Sequence, residues 1–129
     1  MISIFIGIVV LVLALGAFLI FAFTEKKELN DEQKKQFKKN FKSIYLLESK
    51  KEKIIDYDKL YHQILKGFGY EGNFGDILKL KPDEVDDLNK IWELHKLRNK
   101  LVHDFDSHDE KFLNKKVLEY EKEIKKLLS

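Results

Sequence analysis

Arg98, Asn99 and His103 fall within six residues of the stretch "LHKLRNKLVHDFD" (94–106), and their side chains suit phosphate chemistry. The chain has 24 lysines and arginines, and Arg98 is the only arginine among them. Arginine presents a flat, permanently charged fork of donors that binds a phosphate or a carboxylate through two atoms, which lysine cannot do. Histidine gains and loses a proton near neutral pH. The three side chains could therefore bind a phosphate and transfer a proton beside it.

The sequence leaves two partners for Arg98 open. On a helix through this stretch, Arg98 falls in the middle of a wide apolar arc, so we expect its side chain to be buried. A buried charge without a partner costs several kcal/mol. The partner is either a carboxylate from another helix, in a purely structural ion pair, or a phosphate, with His103 nearby for proton transfer.

The letters "RNKLVH" have the form Arg-Asn, three residues, His, and resemble the Arg-x(4–6)-His motif of HEPN domains (higher eukaryotes and prokaryotes nucleotide-binding). The helix "WELHKLRNKLVHDF", followed by a helix ending "YEKEIKKLL", is similar to HEPN-like bodies of small bacterial single-pass membrane proteins. The resemblance covers about residues 54 to 128. It implies a small helical bundle that forms a homodimer, and many members of the family are metal-independent ribonucleases.

The resemblance also implies roles for the three residues. Arg98 would hold and neutralise the scissile phosphate of RNA or a nucleotide. His103 would be the general base or acid at the ribose 2′-OH or the leaving 5′-oxygen. Asn99 would orient the phosphate or the His103 ring, and neither a metal nor a cofactor is needed. The alternative is a non-catalytic, membrane-tethered scaffold for an unknown protein partner, in which Arg98 is structural.

Residues 1–23, "MISIFIGIVVLVLALGAFLIFAF", carry no charged side chain. A run of this length crosses a hydrocarbon core of about 30 Å as a helix. A signal peptide would have a basic start and a shorter apolar stretch. We therefore predict a retained transmembrane anchor in the lipid bilayer. Lysines follow the span and none precedes it, which predicts a single-pass protein of the cytoplasmic membrane with its N-terminus outside and its body in the cytoplasm.

Residues 24–53 form a basic neck, because 25–53 hold ten lysines against six acidic residues. Asn30 or Asp31 can cap a first helix that runs to about Glu48. The apolar stripe of this helix includes Phe37 and Phe41. Its other face is rich in lysine, and these side chains either contact anionic headgroups or are simply solvated.

Residues 54–129 complete an all-α chain, in which the anchor precedes a small four-helix, HEPN-like bundle. We predict helices over about 54–66, from Pro82 or Asp83 to His103, and from a capping box at Ser107 to the C-terminus, with a glycine-rich connector and a short helical turn at 74–80. The helix from Pro82 or Asp83 to His103 is apolar around so much of its surface that it should lie at the bundle centre, or face the core on one side and a second subunit on the other. The last helix has a regular apolar stripe of Leu113, Val117, Tyr120, Ile124 and Leu127.

Overall fold

The computed structural model describes residues 1–24, 28–103 and 108–129, and within these ranges all regular structure is helical. The described helices are α1 (Ile2–Thr24), α2 (Asp31–Tyr45), α3 (Lys50–Gly67), α4 (Phe74–Lys79), α5 (Leu88–His103) and α6 (Glu110–Leu128). The all-α prediction is confirmed.

Helix α1 has the length and the composition of a membrane span. Its stretch Ile2–Leu19 has a mean hydropathy of 3.0, and none of this stretch is buried against the rest of the chain. The prediction of an apolar N-terminal helix long enough to cross a bilayer is confirmed, while its orientation stays a prediction.

Helix α2 begins where the capping residues predict. The Asn30 side chain accepts a hydrogen bond from the Gln33 backbone at 2.7 Å, and the Gln33 side chain accepts one from the Asn30 backbone at 3.0 Å. This reciprocal pair satisfies donors that the first turn of a helix leaves free. The helix ends at Tyr45, three residues earlier than the predicted Glu48.

Helix α3 is the centre of the bundle, since it packs against α2, α5 and α6. It begins at Lys50, after an N-cap at Ser49, and so starts before the predicted residue 54. Six of its apolar side chains are fully or almost fully buried: Ile54, Tyr57, Leu60, Tyr61, Ile64 and Leu65. The expectation that the helix ending at His103, now α5, lies at the bundle centre is therefore wrong, because α3 occupies that position. The alternative, a face shared with a second subunit, stays a prediction.

The glycines of the connector between α3 and α5 allow it to turn. Gly69 and Gly72 have φ angles of 103° and 108°, in the region that other residues avoid. A β-carbon on Gly67 would come within 2.8 Å of Leu29 Cδ2, just before α2, and within 3.1 Å of Phe37 Cε2 on α2. The short helix α4 lies within this connector, where a short helical turn was predicted.

Helix α5 starts later than the sequence predicts. Its first residue is Leu88, and Asp87 accepts a hydrogen bond from the Lys90 backbone at 3.0 Å. The acidic residues before it contact other elements, because Glu84 accepts from the Tyr70 hydroxyl at 2.7 Å and Asp86 pairs with Lys126 at 2.7 Å. The prediction of a start at Pro82 or Asp83 is wrong, since these acids bind side chains and do not form the first turn.

Helix α6 closes the bundle. All five residues of its predicted apolar stripe are buried: Leu113, Val117, Tyr120, Ile124 and Leu127. Asp109 is its N-cap and accepts from the Lys111 backbone at 3.3 Å. The predicted cap at Ser107 lies outside the described residues.

Candidate functional site

A cleft of about 390 Å³ opens between α3, the start of α4 and α5. Arg98 and Asn99, two of the three site residues that the sequence predicts, both line it. Residues from three parts of the chain form its wall: Asp58, Lys59, His62, Asn73, Phe74, Gly75, His95, Arg98 and Asn99. The cleft contains two cationic side chains, two histidines and one carboxylate.

Asp58 is the buried acid at the base of this cleft, with 3% of its surface exposed. Its carboxylate accepts hydrogen bonds from the Tyr120 hydroxyl of α6 and from His95 Nδ1 of α5, the latter at 3.1 Å. Burial, and then the charge of Asp58, raise the pKa of Tyr120 well above its usual value. The Tyr120 hydroxyl therefore keeps its proton and remains a donor to Asp58 at neutral pH.

His95 is held in one orientation by what surrounds it. Its Nδ1 donates to Asp58, since a carboxylate can only accept, and the imidazole nitrogen that Asp58 does not bind is Nε2. The ring centroid lies 4.7 Å from that of Phe74 and 6.4 Å from that of Trp92. In this tautomer a neutral His95 has an unprotonated Nε2, the state that a general base requires.

Arg98 is half-buried, with 36% of its side chain exposed. Its Nη1 donates to Asn99 Oδ1 at 3.0 Å, and its Nε lies 3.7 Å from Asp58 Oδ2. The Nε atom is buried and has no hydrogen-bond partner within the described part of the chain. The expectation that Arg98 is buried inside an apolar arc is wrong, because one side of this arc borders the cleft.

His103 is placed differently from the other two predicted site residues. It is an exposed residue at the last position of α5, next to residues 104–107, which lie outside the described ranges. It does not line the cleft, although it shares the helical stripe of His95 and Asn99. The role predicted for His103 stays a prediction, and His95 is the histidine that the fold brings beside Arg98.

His62 and Asp58 are cleft residues that the sequence reasoning missed. His62 stacks on Phe74 with 5.3 Å between ring centroids, and its Nε2 lies 3.0 Å from the Gly72 carbonyl oxygen. A signal for Asp58 was present, since it stands four residues after Ile54 on the apolar stripe of α3. An acid at a core position of a helix indicates a buried partner.

No group of three or more histidine or acidic residues that could hold a metal ion occurs within 1–24, 28–103 and 108–129. The chain matches no protein-family model, no curated protein and no solved structure. The resemblance to HEPN domains therefore stays a prediction that rests on the residues around Arg98.

Proposed function

We propose that this chain is a membrane-anchored, HEPN-like helical domain whose cleft binds a phosphate of RNA or a nucleotide and cleaves the phosphodiester without a metal. The observation that carries the proposal is the partly exposed Arg98 guanidinium in the cleft wall, whose Nε has no hydrogen-bond partner within the described residues and only the 3.7 Å approach of Asp58. A phosphate oxygen is the acceptor that such a charged donor binds strongly. Asn99 holds the opposite side of the guanidinium through Nη1 and so sets its direction.

The charges of the cleft suit a singly charged phosphodiester. Lys59 and Arg98 supply two positive charges, and Asp58 supplies one negative charge, so the cleft is cationic even when both histidines are neutral. The Asp58 carboxylate accepts from Tyr120 and His95, which moderates its repulsion of an anion. A phosphate at Arg98 would therefore meet a net attraction.

His95 is the proton-transfer group in this proposal. Its unprotonated Nε2 accepts the proton of a ribose 2′-OH, and the 2′-oxygen then forms a bond to phosphorus. The bond from phosphorus to the 5′-oxygen breaks, and the leaving oxygen takes a proton from the protonated imidazole or from water. The products are a 2′,3′-cyclic phosphate and a 5′-OH. Asp58 stabilises the imidazolium that forms on His95, and Arg98 stabilises the charge on the phosphate.

The proposed location follows from the lysines after α1. We place the N-terminus outside and the body in the cytoplasm, where RNA is present. Protease added to intact cells should leave a tag after Ser129 uncut. Digestion of this tag from outside would contradict the orientation and the access to RNA.

The decisive experiment uses the purified full chain in mild detergent with single-stranded RNA and EDTA. We expect cleavage products with 2′,3′-cyclic phosphate ends. His95→Gln should lower the cleavage rate by roughly two to four orders of magnitude, the usual contribution of a general acid or base. Arg98→Gln should weaken RNA binding at least about tenfold, which is the loss of one charge-assisted hydrogen bond.

Two matched variants serve as controls. Lys100→Gln removes a positive charge from an exposed position of the same helix and should leave RNA binding almost unchanged. His103→Ala tests the histidine of the motif. Loss of cleavage in His103→Ala with full activity in His95→Gln would transfer the proton-transfer role to His103. Absence of both binding and cleavage in the unaltered chain would contradict the proposed function.

A second function, a membrane-tethered scaffold for a protein partner, is favoured by the 3.7 Å approach of Arg98 Nε to Asp58. In this case Arg98 is a structural ion-pair residue. Arg98→Lys would then destabilise the fold by roughly 1–3 kcal/mol, because the fork that faces Asp58 is lost. Both functions allow the predicted homodimer, which sedimentation of the full chain in detergent tests directly, since a monomer would contradict it.

A further inference from the structure

Helix α2 carries a lysine face on the side opposite its contact with α3. At 100° per residue, four of its lysines fall within an arc of roughly 100°, opposite the side that packs on α3. We call Lys35, Lys38, Lys39 and Lys42 the lysine face, and all four side chains are exposed. This face belongs to neither the cleft nor the core.

The lysine face differs from the lysines of α5 and α6 in its partners. Lys90 lies 3.3 Å from Glu93 and 3.4 Å from Glu119, and Lys126 lies 2.7 Å from Asp86. Within the described ranges, no lysine of the lysine face forms an ion pair with an acidic side chain. Its charge is therefore available to an external anion.

The opposite side of α2 excludes one common way of binding a membrane. The Phe41 ring packs 5.5 Å from the Tyr57 ring of α3, and Ile44 is buried. The apolar side is thus occupied, so α2 cannot insert it between acyl chains as a free amphipathic helix does. The contact available to α2 is an electrostatic one at the level of the headgroups. Tyr45 is the last residue of α2 and Leu46 follows it, and both lie beside the lysine face. Their side chains are 55% and 69% exposed and suit the level of the lipid headgroups.

The chain itself keeps α2 close to the end of α1. Six residues separate Thr24 from Asp31, so these ends lie at most about 25 Å apart even if the segment is fully extended. Juxtamembrane lysines within such a distance are attracted to anionic lipids, and the attraction decays over a Debye length of about 8 Å. The sequence leaves solvation as an alternative, but the short tether to α1, together with the lack of ion pairs at the lysine face among the described residues, favours the bilayer.

We propose that the lysine face of α2 binds the anionic phospholipid headgroups of the bilayer that α1 enters. The inference rests on the membrane anchoring in the proposed function, but not on RNA cleavage. The cleft lies on a different side of α3 from the side that contacts α2, because His62 and Gly67 of α3 lie roughly 140° apart around that helix. Gly67 faces α2 and His62 lines the cleft, so a docked body leaves the cleft open on the side away from the lipid.

The test places a reporter at the end of the lysine face. The chain has no cysteine, so Leu46→Cys provides a single site for a nitroxide spin label. The labelled full chain is reconstituted in nanodiscs of phosphatidylcholine, with or without about a third phosphatidylglycerol. The discs also contain a nickel-chelating lipid, and its nickel increases the spin relaxation rate of a label that lies at the level of the headgroups. We expect stronger relaxation in the anionic discs, and its loss in about 1 M salt, where the Debye length falls to about 3 Å. A label at Leu118→Cys, which is 56% exposed on α6, should show no such difference.

A pair of matched variants identifies the lysines responsible. Each lysine of the face should change the ratio of docked to undocked body about fivefold, so the lysine-face variant should lose the effect of anionic lipid. This variant is Lys35→Gln, Lys38→Gln, Lys39→Gln and Lys42→Gln. The control variant removes four exposed lysines elsewhere and should keep the effect: Lys66→Gln, Lys79→Gln, Lys100→Gln and Lys115→Gln.

Equal relaxation in both kinds of disc, or an effect that survives the lysine-face variant, would overturn the inference. Loss of RNA binding in that variant, without any response to lipid, would assign the face to RNA and overturn it as well. A chain that does not enter the discs would contradict the membrane anchor itself. Unchanged Trp92 fluorescence and melting temperature establish that the variants are folded.

Discussion

Two neighbouring residues of α3 make similar contacts with α6 but lie in different surroundings. Tyr57 donates to Glu121 at 2.6 Å, and the next residue, Asp58, accepts from Tyr120. Each contact joins a tyrosine hydroxyl to a buried carboxylate. In the first pair α3 supplies the tyrosine, and in the second pair α6 supplies it. Glu121 has Tyr57 as its only hydrogen-bond partner in the described ranges, whereas Asp58 also binds His95 and lies near Arg98.

The difference between the pairs shows how a structural contact becomes part of a site. Within the described residues, Glu121 forms no ion pair with a cationic side chain and neither Tyr57 nor Glu121 lines the candidate cleft, so the role of the pair is to satisfy polar atoms inside the bundle. The Asp58–Tyr120 pair has the same chemistry, but α5 adds a histidine and an arginine beside it, and a cleft opens there. What distinguishes the candidate site is therefore the packing of α5 on α3, and not the type of buried pair.

The largest expected effect is the loss of stability on removing each carboxylate. Asp58→Ala should cost roughly 3–5 kcal/mol, because it leaves the buried Tyr120 hydroxyl and His95 without their acceptor and removes the carboxylate 3.7 Å from Arg98 Nε. Glu121→Ala leaves only Tyr57 unpaired and should cost roughly 1–3 kcal/mol. Urea unfolding of the full chain in detergent, followed by Trp92 fluorescence, measures both losses. Asp56→Ala, on the same helix, is the control. Equal losses of stability in Asp58→Ala and Glu121→Ala would contradict the difference between the two buried pairs.

A smaller effect is expected on removing each hydroxyl. Tyr57→Phe leaves Glu121 with no hydrogen bond from the described residues and should cost roughly 1–3 kcal/mol. Tyr120→Phe leaves Asp58 bound to His95 and should cost only about 0.5–1.5 kcal/mol. The same unfolding experiment ranks the two variants. A larger loss for Tyr120→Phe would mean that His95 does not support Asp58.

The smallest expected effect appears at alkaline pH. Burial, and then the neighbouring carboxylates, raise the pKa of both Tyr57 and Tyr120, so the unfolded chain ionises first, from about pH 10. Stability is fully present below this pH and falls as the pH rises above it, by up to about 1.4 kcal/mol per pH unit for each tyrosine. Either Tyr→Phe variant should make the fall less steep.

Urea midpoints between about pH 9 and 11 measure this slope. Tyr45→Phe is the matched control, since Tyr45 is 55% exposed and should leave the slope unchanged. An identical slope in the Tyr57→Phe and Tyr120→Phe variants and in the unaltered chain would show that neither buried hydroxyl governs stability at high pH.

Local signals in the sequence predicted local features well. The cap at Asn30, the apolar stripe of α6 and the glycine connector each depend on residues within a few positions of one another. The start of α5 could not be read in this way, because Glu84 and Asp86 have the chemistry of a first turn but bind Tyr70 and Lys126. A distant partner thus overrode a local preference.

The candidate site was predictable in part. Arg98 stood out because it is the only arginine, and Asn99 followed from the same motif, and both line the cleft. His103 was chosen by its spacing, whereas the helix places His95 beside Arg98 and leaves His103 exposed at its end. Spacing along a helix gives direction but not the position of the neighbouring helix, so it could not choose between these two histidines.

The sequence by itself determined the apolar span, the helices, the cap at Asn30 and the unusual choice of arginine at position 98. These properties depend on side-chain type and on contacts within a turn or two of the chain. The tertiary structure alone decided that Asp58 meets His95 from 37 residues away and Tyr120 from 62 residues away. Such contacts arise from the packing of α5 and α6 on α3, which follows from burying several apolar faces at once, and no single segment encodes it.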